Sequence, residues 1–189
     1  MKKLQINYGK PSRKMVIIMY DSREDTLKHK EKVKKYMKLA GNELIHRGIV
    51  HDNTKLESPE KEIFDEYTPK LANSTYGSEE YKSFLKEMKV ALDHHYKHND
   101  HHPEYFDMRF KERSTGKPFF KGLSGMNLFQ LTEMIIDWYA ASQRHDDGDI
   151  FKSIEMNQER FEYTDEIKMI LINTIEFIKL KEEKENRKE

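Results

Sequence analysis

The chain has 189 residues, 34 of them Lys or Arg and 34 Asp or Glu, so its formal charge is zero. That balance gives no electrostatic case for a duplex nucleic-acid or anionic-membrane binder, since both need a basic excess. Charged residues make up 36% and hydrophobic residues 36%, with a mean hydropathy of −0.95. Disorder is nevertheless excluded as the expectation, because the net charge is nil and the apolar residues fall in periodic clusters. Cysteine is absent, so any metal must be held by His and carboxylates. The N-terminal residues lack a signal-type apolar run, and no stretch approaches the ~18 apolar residues of a membrane span. A single domain over 1–189 in a reducing, cytoplasmic location is expected.

Residues 4–20 form the one stretch that reads as strand. Leu4, Ile6 and Tyr8 alternate with polar residues, Gly9-Lys10-Pro11-Ser12 is a turn signal, and Met15 to Tyr20 is apolar. An N-terminal arm or β-hairpin over 1–20 is therefore predicted, and the rest reads as helix. Ser22, three residues before Asp25, predicts a capped helix that stops at Gly48, with a stripe of Val33, Tyr36, Ala40 and Leu44. His29 sits on the same stripe. Ser58-Pro59-Glu60 predicts a helix start with Ser as cap. Ser78 then opens a long helix carrying Phe84, Met88, Ala91, His95, His98 and His102, ended by Pro103. Residues 104–123 look irregular. Ser124 opens the most apolar helix, followed by helices over about 149–162 and 164–182 and a charged tail over 181–189.

Five of the nine histidines lie between His94 and His102. His95 and His102 continue an apolar stripe and should point inward, where an imidazole must hydrogen-bond or bind metal. The alternative is a polar helix end with a few satisfied core imidazoles. Asp137 lies within Met134 to Ala141, where its neighbours are apolar or aromatic. A carboxylate there calls for a cation or strong donors, and Arg144 is the nearest basic residue in sequence. His51-Asp52 places an imidazole beside a carboxylate. His29, His51, Asp52 and Asp137 thus suit one divalent ion. Asp52 can bridge to a second ion held by His95, His101 and His102.

An early His, an HD pair about twenty residues on, later histidines and an Asp on a core helix resemble the HD-domain metal-dependent phosphohydrolase superfamily. His51-Asp52-Asn53-Thr54-Lys55 looks like the His-Asp-x-x-Lys form of many members. His101-His102-Pro103-Glu104 is similar to the His-His-Glu segment of the HD-GYP branch, although Pro103 interrupts it. Asp137-Trp138-Tyr139-Ala140 followed by Arg144 resembles the Asp-x-x-Ala…Arg stretch that follows in that branch. The Gly-Tyr-Pro triplet is missing, so cyclic-di-GMP cleavage is not implied. The similarity covers roughly residues 22–145 and extends to a small HD-like branch, implying a reaction class without a named substrate.

The resemblance implies an all-α, HD-domain-like helical bundle. It also implies one or two divalent transition-metal ions (Mn, Fe, Zn, Ni or Co, with Mg compatible) and hydrolysis of a nucleotide or related phosphoester. Asp52 would be catalytic. Lys55 would meet a phosphate oxygen or protonate the leaving group, and Arg144 is a further phosphate candidate. Arg109, Lys111 and Arg113 read either as a lid or, more simply, as solvated loop charges. The expected partner is a small-molecule phosphate, with neither membrane nor duplex nucleic acid, and a homodimer is compatible with the chain. Two alternatives use the same residues: a di-iron oxygenase of HD type, and a non-catalytic metal- or nucleotide-binding protein.

Overall fold

The computed structural model describes residues 3–5, 16–18, 20–75, 77–109, 115–116, 122–144 and 148–187. The chain divides into two compact units, Met1–Glu43 and Leu44–Glu189. In the first, β1 (Lys3–Gln5) pairs antiparallel with β2 (Val16–Ile18), Lys3 opposite Ile18. The predicted hairpin pairing is present. Its turn at 9–12 and the alternating residues Ile6 and Tyr8 lie outside the described residues.

Helix α1 (Arg23–Val50) begins where Ser22 O accepts from Thr26 N at 2.9 Å, and Glu24 and Asp25 lie in its first turn, as suits the helix dipole. It does not stop at Gly48. The left-handed residue that ends the run is Asp52, at φ 55°, a conformation Asp tolerates better than most side chains. The chain there turns into a single 3-10 turn, Asn53–Leu56.

In the second unit, α2 (Glu60–Ala72) packs on α4 (Lys89–His98) and on the 3-10 turn. Ser58 does not cap α2; Pro59 occupies the cap position without a side-chain bond. Ser78 does cap α3 (Glu79–Glu87), its Oγ accepting from Tyr81 N at 3.1 Å.

The long helix predicted from Ser78 to His102 is interrupted twice. It breaks at Met88 between α3 and α4. It ends at His98, where Asn99 turns extended (φ −116°, ψ 104°) and its Nδ2 donates to His95 O at 2.9 Å. Pro103 therefore begins a helix, α5 (Pro103–Arg109), in a first turn where its missing N–H costs nothing.

Asn127, not Ser124, opens α6 (Leu128–Ser142) through a reciprocal capping box with Gln130; Ser124 lies in a 3-10 turn, Gly122–Gly125. Helices α7 (Ile150–Phe161) and α8 (Asp165–Asn186) stand where the periodicity predicts them, capped by Asp149 and Thr164, with α8 running on into the charged tail. The described structure is all-α apart from the hairpin. No described helix is long and apolar enough to cross a membrane.

Helix α6 presents two stripes. Ile135 and Tyr139, with the partly buried Leu131 and Trp138, join Ile150, Ile154, Tyr163, Leu171 and Ile175 in the core that α7 and α8 close. Gln130, Glu133, Met134 and Asp137 recur at helical spacing on the other stripe. One face thus anchors the helix while the other carries its polar groups.

Candidate metal centre

The left-handed turn at Asp52 sets its carboxylate among three imidazoles. Oδ1 lies 3.3 Å from His95 Nε2 and 3.4 Å from His101 Nε2. His102 Nε2 lies 2.9 Å from His95 Nε2. Because the chain leaves the helix at Asn99, His101 and His102 arrive on a turn that doubles back toward His95. The sequence assigned His95, His101 and His102 together to one ion, and the structure brings all three to Asp52.

These four side chains can hold a metal ion: each offers one ligand atom, and the atoms all lie within 4.8 Å of one another. At bond lengths of ~2.0–2.1 Å, neighbouring donors stand ~3.3–3.4 Å apart around a tetrahedral ion and ~2.9–3.0 Å around an octahedral one. The spacings of 2.9, 3.3 and 3.4 Å fall in those ranges. Among the described residues, three buried side-chain polar atoms have no hydrogen-bond partner. Two of them are Asp52 Oδ1 and His101 Nε2, and the third is Glu104 Oε2. The two atoms face each other at 3.4 Å without making a hydrogen bond, and buried polar groups are almost always paired, so a cation between them would satisfy both.

The imidazoles are oriented from behind. Glu60 is fully buried and reaches His95 Nδ1 with Oε2 at 2.9 Å and His94 Nδ1 with Oε1 at 2.7 Å. Thr54 Oγ1 donates to the same Oε2 at 3.0 Å. A carboxylate on Nδ1 leaves the Nε2 lone pair free for a cation. Glu133 does the same for two rings, with Oε1 2.9 Å from His51 Nδ1 and 3.2 Å from His101 Nδ1. Arg47 in turn holds Glu133 Oε2 at 2.5 Å and grips Asp100 through two nitrogens at 2.9 and 3.1 Å. Gln130 Nε2 donates to Asp100 Oδ2 at 2.7 Å.

His51, Asp52 and Asp137 form a neighbouring group. His51 Nε2 lies 3.4 Å from Asp52 Oδ2 and 3.4 Å from Asp137 Oδ1. The Lys55 ammonium stands on the same Asp52 Oδ2 at 2.5 Å.

The electrostatics follow from this packing. Asp137 and Glu133 beside His51 push it up to about 10, against the effect of burial. Burial also opposes charge on Asp52, but His101, Lys55 and His95 outweigh it and hold the carboxyl well below its ordinary value. Glu133 is likewise held low, its desolvation overcome by His101, His51 and Arg47. His101 is burdened by burial yet raised by Asp52 and Glu133. Burial lowers His95 and lowers His102 further, keeping both imidazoles neutral, the form a metal needs.

Of the residues singled out in the sequence, His51, Asp52, Lys55, His95, His101, His102 and Asp137 converge. His29 does not: it is exposed on α1 and belongs to none of these groups. The reason is that α1 buries no residue, so the stripe that placed His29 inward is not a core stripe. Arg144 is exposed in the turn after α6. Arg109 closes α5, while Lys111 and Arg113 lie outside the described residues. Trp138 stacks on Phe161 with ring centroids 6.2 Å apart, as a core anchor. Glu60, Glu133, Arg47 and Asp100 were not anticipated. The available signal was Glu133, one helical turn before Asp137 in the most apolar helix.

No curated protein and no solved structure matches the chain. Residues 19–183 match DUF5662, a family of unknown function, and over that span the chain belongs to this family.

Proposed function

We propose that the protein is a divalent-metal-dependent phosphohydrolase acting on a phosphomonoester or phosphodiester of a nucleotide or related small molecule. The observation that carries this reading is the buried pair Asp52 Oδ1 and His101 Nε2, which face each other without a hydrogen bond, with the Nε2 atoms of His95 and His102 closing the same space. The order of His51-Asp52, Lys55, His101-His102 and Asp137 along the chain, which resembles the HD superfamily, supports the phosphoester part.

Asp52, His95, His101 and His102 would hold the ion. When bound, it supplies a Lewis acid for a phosphoryl oxygen and lowers the pKa of water. Four protein donors leave open positions on a five- or six-coordinate ion, which favours Mn, Fe, Co or Ni over a closed tetrahedral zinc. Glu60 and Glu133 fix the ring orientations of His95 and His101. Lys55 is partly exposed, so its ammonium can meet an incoming phosphate oxygen and offset the charge that develops there.

The test is metal analysis of the purified protein, paired with a screen of phosphomonoesters and phosphodiesters in Mn²⁺, Fe²⁺, Co²⁺ and Ni²⁺. Metal-dependent release of phosphate, lost on chelation, is expected. A tightly bound metal with no hydrolysis across the screen would overturn the phosphohydrolase reading, and oxygen consumption by bound iron would replace it with an oxygenase.

A further inference from the structure

We propose that Lys55 is the resident cation of the second position, so that the protein holds one divalent ion and not two. This rests on the reading that Asp52 and the three imidazoles bind a metal, and it concerns the other face of the same carboxylate.

The two oxygens of Asp52 are in opposite states. Oδ1 is buried and makes no hydrogen bond, facing His95 and His101 at 3.3 and 3.4 Å. Oδ2 faces His51 and is already matched by the Lys55 ammonium at 2.5 Å. The lysine is fixed locally. It lies three residues from Asp52 on the one-turn 3-10 segment, and its backbone N–H donates to Asp52 O at 2.9 Å. Its ammonium also stands 5.0 Å from the centre of the Phe64 ring, whose face attracts a cation. A tethered charge loses little freedom on binding, whereas an ion from solution loses all of its translation. A dication on Oδ2 would also stand beside that ammonium and be repelled by it. The second group is short of ligands as well, since His51, Asp52 and Asp137 supply three.

The experiment counts ions. Metal-free protein is loaded with Mn²⁺, desalted, and read by elemental analysis and by electron paramagnetic resonance, with circular dichroism as the check on folding. Wild type is expected to retain one ion per chain with an uncoupled signal. Lys55→Met should retain two, with the signal of an exchange-coupled pair, and Lys55→Arg should stay at one. Lys55→Gln serves in place of the Met variant if that one fails to fold. Two ions in wild type would overturn the proposal while leaving the metal centre intact. One ion in the folded neutral variant would overturn it too, since Lys55 would not be what excludes the second. No ion in any of the proteins would sink the metal centre and this inference together.

Discussion

Glu60 Oε2 lies 2.9 Å from His95 Nδ1, and both side chains are shielded from solvent, at 0% and 1% exposure. In the tautomer that donates Nδ1–H to this carboxylate, the lone pair on Nε2 faces Asp52. Glu60→Gln keeps the volume but weakens that orientation. Metal affinity, measured by chelator competition, is expected to fall about 10–100-fold, the usual cost of losing such a partner. An unchanged affinity would mean that His95 does not ligate through Nε2.

Asp52→Asn is the sharper substitution. It keeps shape while removing the charge that faces the imidazoles on one side and Lys55 on the other. Loss of bound metal and of phosphoester turnover is expected, with the helical circular dichroism spectrum retained. A variant that keeps full turnover contradicts the mechanism.

His29→Ala separates this site from the ligand set that the HD resemblance implied. Because His29 is exposed on a helix with no fully buried residue, metal content and hydrolysis rate should match wild type within a factor of two or so, as befits a surface substitution away from special features. A loss of metal on this change would restore His29 to the centre.

How much of this was legible in the sequence depends on what each residue's neighbours betray. Asp137 announced itself because its neighbours in α6 are apolar or aromatic, and His51-Asp52 because imidazole and carboxylate are adjacent. His29 misled because periodicity shows which residues share a face, not whether anything covers that face. His101 and His102 were counted along a helix that ends at Asn99; only the reversal there brings both rings back. Glu60 was hidden, since an acid in the first turn of a helix is ordinary dipole matching, and nothing local marks one as fully buried. The capped end of α3 was readable because Ser78 acts locally through its own side chain.

Metal binding should be linked to protons with a definite sign. His101 is raised above its ordinary value by Asp52 and Glu133, once burial is overcome, while His95 and His102 are lowered. The metal-free protein therefore keeps a proton on His101 to a higher pH than a free imidazole would, and a cation at Nε2 must displace it. Affinity should rise with pH until the raised value is passed. Titration calorimetry in buffers of different ionisation enthalpy should detect about one proton released per ion below that point. Proton uptake on binding, or affinity that falls with rising pH, contradicts the assignment.

The central claim is that Asp52, His95, His101 and His102 hold a divalent cation. Anomalous scattering from Mn²⁺-soaked crystals tests it most directly. The expected result is one peak per chain, ~2.0–2.4 Å from Asp52 Oδ1 and from the Nε2 atoms of the three histidines. A peak bound instead by His51 and Asp137, or no peak among these residues at saturating Mn²⁺, would contradict the account.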